Sequence, residues 1–310
     1  KRADYSSAAA KEILTAVDLS KVIHITPRKA GVPANLMLPE ERLGEQQAGG
    51  TWSELFNREL IFNQYPVLAL LLWYLAASLL GWVCYPMVRL ALGGLADKGF
   101  PLVRLVGMLV LAYLAWLAGS VGLTFTQPTI WLAIGLLVGI NAALFYTQRS
   151  AIRQEWAQKK RYFLVVEGVT LAFFVFFLLI RLGNPDLWHP AKGGERPMDF
   201  SYFNAVIKST SFPPYDPWFA GGYINYYYYG FVIVGTPVKL LGIVPSIAYN
   251  FILPTLFATV GISAFSLGWN MVEGRRSNVE GGGRSTFDLR LVSGLSASAL
   301  AILLGNLGTI

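Results

Sequence analysis

Polar and apolar positions alternate along this chain in blocks, not in short periods. Long apolar runs cover about 66–88 (PVLALLLWYLAASLLGWVCYPMV), 105–123, 130–146, 163–180, 247–272 and 291–310. Each is close to the length a helix needs to cross a ~30 Å hydrocarbon core. None carries the polar stripe with period 3.6 that a helix on a soluble protein shows. The pattern predicts an all-α, polytopic transmembrane bundle of six crossings.

The interruptions differ in kind. The segment 148–162 (QRSAIRQEWAQKKRY) holds Arg149, Arg153, Lys159, Lys160 and Arg161 against the single acid Glu155. The segment 89–104 is also basic, and 273–290 weakly so. Lys and Arg gather in cytoplasmic loops, so these three predict the cytoplasmic side. The formal charge of +7 is thereby a topology signal, and no nucleic-acid partner is expected. The expected location is the plasma membrane, with residues 181–246 facing outside.

Residues 1–64 balance eight Lys and Arg against eight Asp and Glu, and read as a non-membrane segment, the tail of a preceding domain. SSAAAKEILTAVDLS predicts a helix, and KVIHITP a short strand. AGGTWSELFNREL leads in as an interfacial helix, with Trp52 and Phe56 at headgroup depth. Residues 65–162 then form three crossings, and 163–310 a membrane core with a long outer loop. The chain opens on Lys1 and ends inside an apolar block, so it is expected to be a piece of a longer protein.

Composition adds little beyond this: 54% of residues are hydrophobic and 14% charged. The one cysteine, Cys84, builds neither a disulfide nor a Cys-rich metal site, and His24 and His189 stand far apart.

The outer loop is the informative part. It is rich in aromatics and acids, unlike a disordered linker. Asp199 opens a helical stretch, DFSYFNAVIKS, where a carboxylate is stabilised as a base, a metal ligand or simply an N-cap. Asp186, Glu195 and Asp216 are the loop's other acids. Arg196 and Lys239 suit a phosphate headgroup, or else snorkel to the interface. Asn225 and the run Tyr226, Tyr227, Tyr228 and Tyr229 make either an aromatic belt or a wall for sugar or lipid, with Trp218 and His189 nearby in sequence. Residues 231–243 are apolar but short, so they predict a helix along the outer interface.

The stretch GGERPMDFSYFNAVIKSTSFPPYDPWFAGGYINYYYYG resembles the signature of the YYY membrane protein family. The order of features further resembles the GT-C glycosyltransferases: a helix, an acidic motif, a short helix, a Pro and aromatic stretch, an interfacial helix and a second crossing. Phe200 stands where many such enzymes carry a second acid. The GT-C resemblance implies transfer of a sugar from a polyprenyl-phosphate donor to an outer-face acceptor whose identity is open. It implies Asp199 as the catalytic acid, with Glu195 the next carboxylate, and a possible divalent cation (Mg or Mn) on Asp199. Arg196, Lys239, Asp216, Trp218, Asn225, His189 and Tyr226 to Tyr229 would bind the substrates, and membrane lipid would surround the bundle. The alternatives are a transporter or lipid flippase, which should hold charges deep in its helices, and a non-catalytic membrane scaffold.

Overall fold

A computed structural model describes residues 40–185, 196–218, 222–276 and 285–304, with three isolated positions before them. Among these residues the protein is helical without a strand; one isolated bridge joins Tyr215 and Tyr223. The helices are α1 (Glu40–Ala48), α2 (Trp52–Leu55), α3 (Ile61–Gln64), α4 (Pro66–Ala91), α5 (Val103–Ser120), α6 (Gln127–Gly183), α7 (Arg196–Lys208), α8 (Tyr229–Leu241), α9 (Pro245–Arg276) and α10 (Ser285–Ile302). The strand and first helix expected before residue 40 lie outside the described residues.

Among the described residues four helices are long and apolar enough to cross a membrane: α4, α5 with the short 3₁₀ turn before it, α6 and α9. That number differs from the expected six for two reasons. First, the third and fourth apolar blocks are one helix, because the basic segment between them is itself helical. Second, α10 starts at Ser285 and takes in Asp288 and Arg290, so its 18 residues fall outside the class of long apolar helices.

Helix α6 does not run straight. Gln127 at its start donates to the Lys239 carbonyl on α8 (2.8 Å). Leu178 near its end shares a buried cluster with Val238, also on α8. A straight helix of 57 residues would hold its ends roughly 85 Å apart. The helix therefore folds back, and its break is at Lys159, the one residue inside it with non-helical angles (φ −114°, ψ 18°). Trp156 stacks on Phe163 across the break at 5.1 Å, and Lys159 Nζ caps the Ala96 carbonyl at 2.8 Å. The two arms match the expected blocks, while the connection is a helical elbow and not a loop.

The bundle has two distinct ends. At the basic end, Arg89 of α4 makes a forked contact with Glu155, and Tyr85 donates to the same carboxylate. Asp97 accepts from Ser266 and Asn270, fixing the end of α9. At the other end, the loop end, α7 and α8 pack on α5 and the first arm of α6. Between the ends, Arg104 of α5 pairs with Glu167 on the second arm and also donates to Ser78 of α4.

Apolar burial drives no helix association inside lipid, so close packing and polar contacts must supply it. Small residues do this between α9 and α10. Ser293 Oγ donates to the Gly268 carbonyl and Ser298 Oγ to the Gly261 carbonyl, each at 2.8 Å. Trp73 of α4, almost wholly enclosed, donates to Thr255 of α9 at 2.9 Å.

In the lead-in to the membrane, Phe56 is buried in the main core with Leu55, Val238 and Ile243, and Trp52 is exposed. Asn63 is buried and ties the end of α8 to the start of α9: its Nδ2 donates to the Gly242 carbonyl and its Oδ1 accepts from Val244 N–H. Gly242 sits at φ 67°, and a Cβ there would stand 3.1 Å from the Leu55 carbonyl, so the close approach calls for glycine. Leu55, Phe56 and Asn63 thus anchor the segment 49–64, most of which is otherwise exposed, to the core.

Candidate functional site

The loop end is built on α7. Phe203, Val206 and Ile207 point inward, and Gly235 lets α8 approach Ile207 closely. Val206, Val232 and Ala112 form a small cluster that fixes α7 against α8 and α5. This leaves the first turn of α7, with Arg196 and Asp199, beside the start of α9. Asp199 is the fourth residue of the helix, not its N-cap, because the helix begins at Arg196. A carboxylate in that first turn is still favoured by the exposed N–H groups.

Asp199, Arg196 and Arg181 all lie within electrostatic reach of the Tyr249 hydroxyl. Tyr249, on α9, packs edge-on against Phe200 (5.5 Å) and against Phe203 (5.8 Å) of α7. Arg181 is buried in the last turn of α6, and its guanidinium donates to the carbonyls of Asn184 (2.6 Å) and Pro185 (3.1 Å). One carboxylate and two guanidiniums thus lie in the neighbourhood of one phenol, toward the ends of α6, α7 and α9. Such a set can hold a phosphate against the arginines and offer the carboxylate as a base. Arg181 and Tyr249 were missed in the sequence because each reads as the edge of an apolar span. Two buried acceptors, Asn204 Oδ1 on α7 and Asn250 Oδ1 on α9, have no hydrogen-bond partner among the described residues.

Next to this site lies an aromatic shelf. Residues 214–218 and 222–224 pair as the two arms of a hairpin, held by Asp216 N–H to Gly222 O and Ile224 N–H to Pro214 O. Tyr215 and Tyr223 stack at 5.1 Å. Asp216 serves a local turn, its Oδ1 accepting from Trp218 N–H (2.7 Å). Trp218, 65% exposed, donates to Ser201 of α7 (3.0 Å), which docks the hairpin on that helix.

The tyrosine run divides. Tyr226 and Tyr227 are outward, 53% and 79% exposed, and Asn225 is exposed beside them. Tyr228 and Tyr229 are anchors: Trp116 of α5 donates to the Tyr228 hydroxyl (3.2 Å) and takes Tyr229 edge-on (5.7 Å).

Lys239 is somewhere else. It is wholly buried, and its Nζ donates to the carbonyls of Phe125 and Ser209. Ser209 stands ten residues beyond Asp199, about 15 Å of helix. The structure therefore separates Lys239 from the Asp199 site, and it does not snorkel, because α7, α8 and the 121–126 turn enclose it. Glu195, His189 and Asp186 lie outside the described residues.

Among the described residues no group of three or more His, Cys, Asp or Glu comes together.

Apolar helices of spanning length, a basic end and an opposite loop end define a polytopic α-helical membrane protein. The family model described as uncharacterized membrane protein (DUF2298) matches residues 110–310, and the chain belongs to that family. No curated protein and no solved structure matches it.

Proposed function

We propose that this protein is a membrane glycosyltransferase that moves a sugar from a polyprenyl-phosphate donor to an acceptor on the outer face of the plasma membrane. The reading rests on Asp199, Arg196 and Arg181 lying within electrostatic reach of Tyr249 at the loop end, where Trp218, Tyr226 and Tyr227 are exposed. The order of features is also similar to that of GT-C enzymes, which supports the same assignment.

In this reading an acceptor hydroxyl attacks the anomeric carbon and passes its proton to Asp199. The bond from that carbon to the phosphate oxygen breaks, and the polyprenyl phosphate leaves with the bonding pair. Arg181 and Arg196 offset the charge on the leaving phosphate. Trp218, Tyr226 and Tyr227 offer apolar faces to the sugar rings. The concentration of Lys and Arg at the opposite end supports the outward placing of the loop end.

The Arg104–Glu167 pair is the feature a transporter would share. Its groups engage each other and Ser78, so it reads as a clamp between α4, α5 and α6.

The test is Asp199→Asn, assayed by transfer from a radiolabelled polyprenyl-phosphate sugar in reconstituted membranes, with thermal stability measured alongside. Loss of a general base predicts a fall of roughly a hundredfold or more in a protein of normal stability. Near-normal transfer would remove Asp199 as the base.

A further inference from the structure

The amine of Lys239 is fully enclosed and, among the described residues, pairs with no carboxylate. It donates to Phe125 O (2.5 Å) in the turn before α6 and to Ser209 O (2.9 Å) just past α7, with the Phe125 ring 4.4 Å away. Each carbonyl comes from a different segment, and Lys239 itself sits on α8. Two further bonds close the same junction: Phe125 N–H to Thr210 O (2.6 Å), and Gln127 Nε2 to Lys239 O.

The elements around it bring few charges. The turn 121–127 carries none, and neither does α3. Lys208 of α7 is the charged group whose field reaches the amine, and it is of like sign. Glu54 of α2 acts on Lys208 and is itself held by Thr51. Among the described residues, an ammonium here would have no counter-ion.

We infer that Lys239 is a proton-sensitive latch: as an uncharged amine it locks the 121–126 turn, the end of α7 and α8 together, and uptake of a proton favours their opening. Both carbonyls can be served by the two N–H groups of a neutral amine. Burial pushes its pKa down to about 7, and the nearby Lys208 adds to the effect. In an opened junction the amine meets water and regains its ordinary affinity for a proton, near 10.5. Opening therefore takes up one proton between pH 7 and 10.5, and acid favours it. Because α7 also carries Asp199, the latch sets how firmly that helix is seated. The inference does not depend on the proposed reaction, since its test uses no sugar or donor.

The experiment is hydrogen exchange at the Phe125 amide in the protein held in lipid nanodiscs, read by mass spectrometry from pH 6 to 9.5 and corrected for intrinsic exchange. With one proton taken up on opening, the opening constant should fall about tenfold for each pH unit above 7 and level off below it. Lys239→Met should abolish that slope. Lys208→Met, which removes the like charge, should shift its onset to higher pH. Exchange independent of pH in the natural protein would overturn the latch, as would a slope that survives in Lys239→Met. Should Lys239→Met fail to fold, Lys208→Met decides: an unmoved onset overturns the inference, and a raised onset supports it.

Discussion

Gly268→Ala tests how the last helix is held. A Cβ at Gly268 would lie inside the contact distance of the Ser293 carbonyl, 2.8 Å from Ala297 Cβ and 2.9 Å from the Ser293 carbonyl carbon. These are mostly backbone atoms of α10, so no side chain can turn away. Restoring contact of ~3.5–4 Å requires α9 and α10 to separate by roughly 1 Å. That separation strains the two serine–carbonyl bonds at Gly268 and Gly261, worth about 0.6 kcal/mol each inside a membrane. Overpacking adds about 1–3 kcal/mol. The expected loss is about 2–4 kcal/mol, less a few tenths recovered from the better helix propensity of alanine. The assay is thermal unfolding in detergent, with Gly139→Ala as control, because nothing lies within 4 Å of a Cβ there. The control should be neutral or slightly more stable. A Gly268→Ala protein as stable as the control would refute the close-packing account of this helix pair.

Two further outcomes follow from the same structure. Asn63→Leu strands the Gly242 carbonyl and the Val244 N–H in the core, at about 1–3 kcal/mol each, so a loss of about 2–5 kcal/mol is expected by thermal unfolding; a loss below 1 kcal/mol would deny Asn63 its bridging role. In a Cys84→Ala background, single cysteines at the exposed positions Tyr227 and Gln158 should react with an impermeant thiol reagent from opposite faces of the membrane, Tyr227 from outside; labelling of both from one face would sink the two-ended topology.

Much of this protein is legible in one dimension. Apolar runs such as 66–88 determine the spanning helices, because a segment with no polar stripe has no stable place in water. The lysines and arginines of 148–162 mark one end of the bundle, and Asp199 stands out as an acid in the first turn of the helix within the longest polar interruption. The tertiary structure decided the rest, for reasons of geometry. Residues 148–162 look like a loop by charge, yet good helix formers such as Ala151, Glu155 and Ala157 keep the backbone helical, and the turn is confined to Lys159. Lys239 reads as an interfacial cation until α7, α8 and the 121–126 turn close over it. Arg181 and Asp199 come within electrostatic reach of Tyr249, 68 positions beyond Arg181 in the chain, only because the second arm of α6 and α9 bring their ends toward α7. Patterning fixes which segments are buried, but pairwise meetings across such distances depend on how helices cross, and no local signal carries that.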